Sequence, residues 1–329
     1  MEYNNITTYE TQMEFSEKLA ELVGEFMESV YDYKAYAEYR KVMKTNVELD
    51  GITVKFDDST VAPTIYTEEM YQDYLSGAKI EDIAKSVCQA AIKAHSVAPE
   101  LPELTPEEAK KHITLNLVNT ERNQELLSKV PHFEICDLSA IPRWWISDQA
   151  SFVVNNEMCS RLMLTPEEVL QIGQTNINSQ TYDIRSMQEV MKELMSGDGM
   201  DPSMVDAVFP PEPDPQMIVM TTQSKIQGSC AILSKEALDE VREKFHGSDY
   251  IILPSSLSEV ICVKAEGMDP AELRNIVHEV NSTQVQPQDY LSDNIMKYDG
   301  KKLAMVMDGI KMDTPKLDET KVRYAAMRM

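Results

Sequence analysis

No stretch of this 329-residue chain approaches the run of about 18 apolar residues that a membrane-spanning helix needs, so a helical membrane protein is not expected. The opening residues, MEYNNITTYETQMEF, carry neither a basic patch nor an apolar run, so no secretory leader is expected either. Basic residues are scarce, 31 against 55 acidic, for a net charge of −24. A surface that tracks phosphates needs clustered Lys and Arg, so direct nucleic-acid binding is not expected. Cysteine is sparse as well: Cys88, Cys136, Cys159, Cys230 and Cys262 are odd in number, widely spaced and without a CxxC pair. That usage predicts small buried thiols in a reduced, cytoplasmic compartment rather than a disulfide framework. Tryptophan occurs twice, at 144 and 145, where strand alternation would turn one ring inward and leave the other for a partner.

The usual carriers of chemistry are missing too. No glycine-rich nucleotide fingerprint follows a strand-like run, and no HExxH lies on a helix. His95, His112, His132, His246 and His278 are scattered, with no second ligand at metal spacing, so neither metal nor cofactor is expected. Gly228-Ser229-Cys230-Ala231 passes near a nucleophile elbow but lacks the flanking glycines, and reads better as a turn entering a strand. Cys230 as a nucleophile would need a partnering His and a depressed pKa, and neither is visible in the sequence.

What is present is a globular composition, 43% apolar and 26% charged, in a chain long enough to bury two or three modest cores. Residues 10–42 read as one long helix, apolar at three- and four-residue spacing from Phe15 to Val30 and continued by a tyrosine ladder at 31, 33, 36 and 39. VELDGITVKF then reads as a hairpin turning at Asp50-Gly51, APTIY as a third strand, and residues 80–94 as a helix. A proline-punctuated linker, VAPELPELTP, closes an N-terminal unit at 1–96.

A central unit at 107–195 follows, with a helix capped by Thr105, a strand alternating from Ile113 to Val118, and a helix begun by Thr165-Pro166. Residues 196–215, rich in Gly, Pro and Asp, read as a linker or surface loop. The C-terminal unit, 216–300, alternates Ile- and Val-rich strands with helices, and 301–329 is a basic tail. The fold class expected is therefore α+β: two or three units of mixed or antiparallel sheet packed by helices. TPEEVLQIGQTNIN and DPAELRNIVHEVN also echo each other at an offset of 104 residues. Duplication of a strand–strand–helix unit would produce this echo, and so would ordinary capping chemistry.

Two polar clusters interrupt the C-terminal unit. Pro254-Ser255-Ser256, with Glu259 nearby, reads as a proline bulge whose hydroxyls satisfy exposed backbone. The same residues, with His278, form the candidate site of a hydrolase-like enzyme or a small-ligand binder. Asn281-Ser282-Thr283-Gln284 reads as a polar helix exit. Because no acid, base, nucleophile and metal set converges, the expectation is a non-catalytic interaction or regulatory protein with an unidentified protein partner. Residues 1–33 carry a local charge of −7 and residues 301–329 one of +3, so the two ends can pair within or between subunits, which leaves a homo-oligomer open. The acidic surface also fits a mimic that fills the basic groove of a nucleic-acid-binding protein.

YIILPSSLSEVICV at 250–263 and LRNIVHEVNSTQVQPQDYLSDNIMKYD at 273–299, with VELDGITV, VPHFEICDLSAIPRWW and TPEEVLQIGQTNIN before them, give the chain a family resemblance. In order and wording these segments resemble an uncharacterised family of intracellular proteins from anaerobic gut bacteria. The resemblance implies a cytoplasmic bacterial protein and brings no activity with it. Members of that family more often carry histidine where this chain has Ser258, which weakens an enzyme site built there.

Overall fold

Thr11 starts the first helix by closing a capping box with Glu14, its hydroxyl accepting from the Glu14 N–H while the Glu14 carboxylate accepts from the Thr11 N–H. The computed structural model describes residues 9, 11–59, 61–97, 102–147, 150–197, 201–210, 212–254, 256–306 and 311–313. The chain divides into two compact units, Met1–Leu101 and Pro102–Met329.

The first unit runs α1 (Gln12–Ser29), β1 (Ala35–Lys44), β2 (Val47–Phe56), β3 (Thr64–Tyr66), α2 (Glu68–Leu75) and α3 (Ile80–Ser96), with an antiparallel sheet in the order β1-β2-β3. Phe15, Leu19, Val23 and Met27 recur every four residues on α1 and are buried against Ile52, Val54 and Phe56 of the sheet and Val87, Cys88 and Ala91 of α3. Two expectations are corrected. The long helix stops at Ser29 and Asp32 takes a left-handed φ of 54°, so the tyrosine ladder leads into β1 instead of continuing the helix. The hairpin turns at Thr45-Asn46, where Asn46 is left-handed at φ 66°, because Lys44 pairs with Val47. Gly51 sits inside β2, where a Cβ would lie 2.8 Å from the Thr64 side chain.

The second unit begins with α4 (Pro106–His112), β4 (Ile113–Asn119), α5 (Gln124–Leu127), β5 (Phe133–Ile135), β6 (Leu138–Ser147), β7 (Ala150–Val153), α6 (Asn156–Arg161) and α7 (Pro166–Ser179). It continues with β8 (Tyr182–Ser186), α8 (Met187–Gly197), α9 (Pro202–Val208), β9 (Met217–Thr222), α10 (Lys235–Lys244), β10 (Tyr250–Leu253), β11 (Glu259–Lys264) and α11 (Pro270–Thr283). Three short strands, β12 (Ile295–Tyr298), β13 (Leu303–Val306) and β14 (Lys311–Asp313), end it.

Its strands form two antiparallel sheets. In the four-stranded one, β6 pairs with β4 along one side and with β5 and β7 on the other, so β4 is an edge. The seven-stranded one has the order β14-β13-β12-β10-β11-β9-β8. Alternation gives the larger sheet two apolar faces. Tyr250, Ile252, Val260 and Cys262 share a core with Leu238 and Val241 of α10 and Leu115 and Leu117 of β4. Ile251, Leu253 and Val263 meet Leu273 and Val277 of α11 instead.

Helices packed on antiparallel sheets make the fold α+β. The stretch 196–215 contains α9 and lies inside the second unit, because β8 and β9 pair across it. GSCAIL is a 3-10 turn, Gly228–Leu233, instead of a strand, and a second 3-10 turn, Pro287–Asp289, follows α11. The echoing helices do share a buried stripe, Val169, Gly173 and Ile177 against Leu273, Val277 and Asn281, although Ile276 is exposed where Ile172 is half-buried. The basic tail from residue 314 onward lies outside the described residues.

Candidate functional site

β4 reads ITLNLVN, and its two faces have different fates. Leu115 and Leu117 enter the main core, while Thr114 and Asn116 point to the other face. Thr114 opposes Arg143 across the β4–β6 ladder, so Arg143, and Trp145 two residues on, share that face. Trp145 is half-buried, and its indole Nε1 donates to Thr114 Oγ1 at 2.8 Å, which fixes the plane of the ring. Trp144 points the other way and is fully buried, so the two tryptophans do divide between faces. Arg143 Nε donates to Ser151 Oγ at 2.7 Å, and burial lowers the proton affinity of its guanidinium.

A pocket of about 300 Å³ opens at this edge, lined by the end of α4, by Thr114, Asn116 and Trp145, by Gln180, and by the loop that leaves β9. Asn116 is 2% exposed, and neither its amide oxygen nor its amide nitrogen has a hydrogen-bond partner among the described residues. Among the described residues it is the one side chain with both polar atoms buried and unpartnered. Leaving such a group unsatisfied costs about 1–3 kcal/mol, so it is not a neutral choice for filling space.

The opposing loop is built to close tolerances. Lys225 and Gln227 both adopt left-handed backbone, φ 59° and 54°, a conformation that costs non-glycine residues about 1 kcal/mol or more each. Thr222 Oγ1 donates to the Ile226 carbonyl at 2.9 Å and closes the loop on itself. Gly228 follows because nothing larger fits: a Cβ there would lie 2.0 Å from Thr221 Oγ1 and 2.2 Å from the Ser258 carbonyl. This close approach, and not a nucleophile elbow, is what the glycine serves.

The charged groups of the pocket lie at its rim. Lys111 and His112 are 64% and 37% exposed, and both face Glu108, at 2.5 and 3.3 Å. The Lys111 ammonium holds the Glu108 carboxyl below its usual range. Cys230 lines the inner wall, but burial pushes its thiol up to about 12, so it stays protonated at neutral pH. A larger groove of about 600 Å³ borders β8, α8, Phe209, Pro210 and residues 212–215, and there Glu189, Lys192 and His246 already have partners. Glu189 accepts from the Ser186 N–H, Lys192 pairs with Asp206, and His246 faces Asp214.

The residues singled out from the sequence are placed elsewhere. Ser255 lies outside the described residues. Ser256 Oγ accepts from the Ser258 N–H at 3.1 Å, a local turn of the kind the proline-bulge reading predicts. Glu259 is exposed at the start of β11. His278, 71% exposed at its side chain, pairs through Nδ1 with Asp293 at 3.1 Å. The Ser258 carbonyl is held by Thr221 Oγ1 at 2.6 Å. Among the described residues, no group of three or more His, Cys, Asp or Glu could hold a metal ion, and no helix is long and apolar enough to cross a membrane. Asn116 escapes sequence reasoning because ITLNLV alternates as a half-solvated strand does, which hides a buried amide among outward polar positions. Its one signal is that it stands alone among apolar neighbours.

No curated protein and no solved structure matches the chain. The model of a family of unknown function, DUF5688, matches residues 12–300, and the chain belongs to that family.

Proposed function

We propose that this chain is a non-catalytic, ligand-binding regulatory protein of the bacterial cytoplasm, and that the β4-edge pocket is where its ligand binds. The observation that carries the reading is the Asn116 amide, buried at 2% exposure with both of its polar atoms unpartnered beside a cavity. Buried polar groups are nearly always satisfied, and exceptions concentrate where something else supplies the partner. Binding is favoured over catalysis because the nucleophile at the pocket, Cys230, is a protonated, buried thiol, while His112 and Lys111 are held at the rim by Glu108. Five free thiols, four buried and one half-buried, suit a reducing compartment.

The reading is tested by thermal shift of the full chain against a panel of neutral and charged metabolites, in parallel with Asn116→Leu. A ligand at a hundred times its Kd adds about 2.7 kcal/mol of stability, which gives a shift of several degrees. The expected result is a stabilising compound whose effect disappears in Asn116→Leu. A panel that shifts neither protein, or shifts both equally, overturns the proposal.

A further inference from the structure

We infer that the ligand of the β4-edge pocket is an uncharged nucleobase or nucleoside, read by Asn116 through a donor–acceptor edge and stacked on Trp145. The inference rests on the pocket reading above and names its ligand class.

The first step is the chemistry of the unpartnered group. A carboxamide offers one acceptor and an N–H donor side by side, so its full complement is a ligand with a donor and an acceptor side by side along one edge. Adenine presents such a pair at N6 and N7, which Asn reads in a bidentate manner. Uracil presents an equivalent pair at its ring N–H and carbonyl. A carboxylate or phosphate offers acceptors alone and would leave the Asn116 oxygen unpaired.

The second step is charge. Away from the exposed edge, where Ser147 and Ser224 also lie, the polar lining consists of neutral hydroxyls and amides: Thr114, Gln180, Thr222 and Gln227. A charged ligand would lose its hydration there without meeting an opposite charge, because Lys111 and His112 stand at the exposed edge and already face Glu108. A neutral polar ligand loses far less.

The third step is shape. Trp145 is on the same sheet face as Asn116, and its ring plane is fixed by the hydrogen bond to Thr114. A half-buried indole held in one plane is a stacking platform for a planar heterocycle, worth about 1–3 kcal/mol per base in known cases. The cavity, near 300 Å³, is at the small end of ligand pockets and fits a nucleoside-sized molecule better than a peptide.

The experiment is equilibrium binding of adenosine, uridine, guanosine and adenosine monophosphate to the full chain, followed by tryptophan fluorescence. Trp144 and Trp145 are the only tryptophans, and Trp144 is fully buried, so quenching reports on Trp145. Adenosine or uridine should quench and bind, and Asn116→Ala should weaken that binding about 10- to 100-fold. Trp145→Leu should weaken it by a similar factor, and Trp145→Phe should retain most of it. Asn116→Asp, which accepts but does not donate, should shift preference toward guanosine, whose ring N–H and amino group both donate. If that variant fails to fold, the alanine and Trp145 variants still decide the matter.

Tighter binding of the monophosphate than of adenosine would overturn the inference, as would binding indifferent to Asn116. If nucleosides fail while another neutral compound from the metabolite panel stabilises the chain through Asn116, the ligand class is wrong and the pocket stands. If nothing in either panel acts through Asn116, both readings fall.

Discussion

Asn116 lines the cavity and Gly228 follows the loop residue Gln227 that also lines it, and the two are tuned in opposite directions. Asn116 gives up stability in the free protein, since a buried amide without partners is worse than an apolar side chain of similar size. Asn116→Leu should therefore raise the unfolding free energy of the ligand-free chain by about 1 kcal/mol, measured by urea denaturation, while abolishing ligand-induced stabilisation. A destabilised Asn116→Leu would mean that the amide is satisfied in the native state. Gly228 is the reverse case. The missing Cβ is what lets Thr221 Oγ1 and the Ser258 carbonyl meet at 2.6 Å behind it. Gly228→Ala should cost about 3 kcal/mol, read by the same denaturation, and a neutral outcome would show that the loop can move aside. The glycine was visible in the sequence, and its reason was not: close approach depends on Thr221 and Ser258, 7 and 30 positions away along the chain.

At the scale of elements, signals that act within one turn were legible. Thr105, Thr165 and Asp269 start α4, α7 and α11 as capping residues, each with proline in the first helical turn. Thr165 completes a capping box with Glu168, its hydroxyl accepting from the Glu168 N–H at 3.2 Å while Glu168 accepts from the Thr165 N–H at 2.7 Å. Thr165→Ala should cost about 1 kcal/mol, and Thr165→Ser should recover most of it. Equal stability for all three would show that packing alone holds α7.

What failed was the assignment of segments whose state is decided by distant partners. The tyrosines at 31, 33, 36 and 39 are spaced by two and by three, so neither period stands out, and β2 supplies the ladder that settles Tyr36 and Tyr39 as strand. GSCAIL carries strand-like residues but is buried throughout as a 3-10 turn against β9, β11, β4, α7 and α10, and β9 and β11 already have strand partners on both sides.

For the whole molecule, the proline-punctuated stretch 97–106 contains the division between the two units at Leu101–Pro102. Residues 196–215 have a similar composition yet bridge two neighbouring strands of one sheet. Composition marks where a chain leaves regular structure and is silent on whether it returns to the same sheet. Cysteine usage, odd in number and without a CxxC pair, matches five free thiols, and their burial sets the alkaline stability of the chain.

All five thiols are free, and burial pushes Cys88 and Cys159 up to about 11 and Cys136 and Cys230 up to about 12, with Cys262 raised further. An unfolded cysteine ionises near pH 8.5. The folded state therefore binds more protons than the unfolded state above that pH, and stability must fall as pH rises through the interval between the two values. Below about pH 7 the thiols of both states are protonated and contribute almost no slope. Urea midpoints should be level in this respect from pH 6 to 7, begin to fall by pH 8 and decline steadily toward pH 10. Cys159→Ala should lessen the decline, since it deletes one of the groups responsible. Native-state alkylation at pH 7.5 should be slow at every cysteine and complete only in denaturant. Rapid labelling of Cys230 in the native chain would show that its thiol is exposed and activated, and would return the pocket to the class of covalent sites.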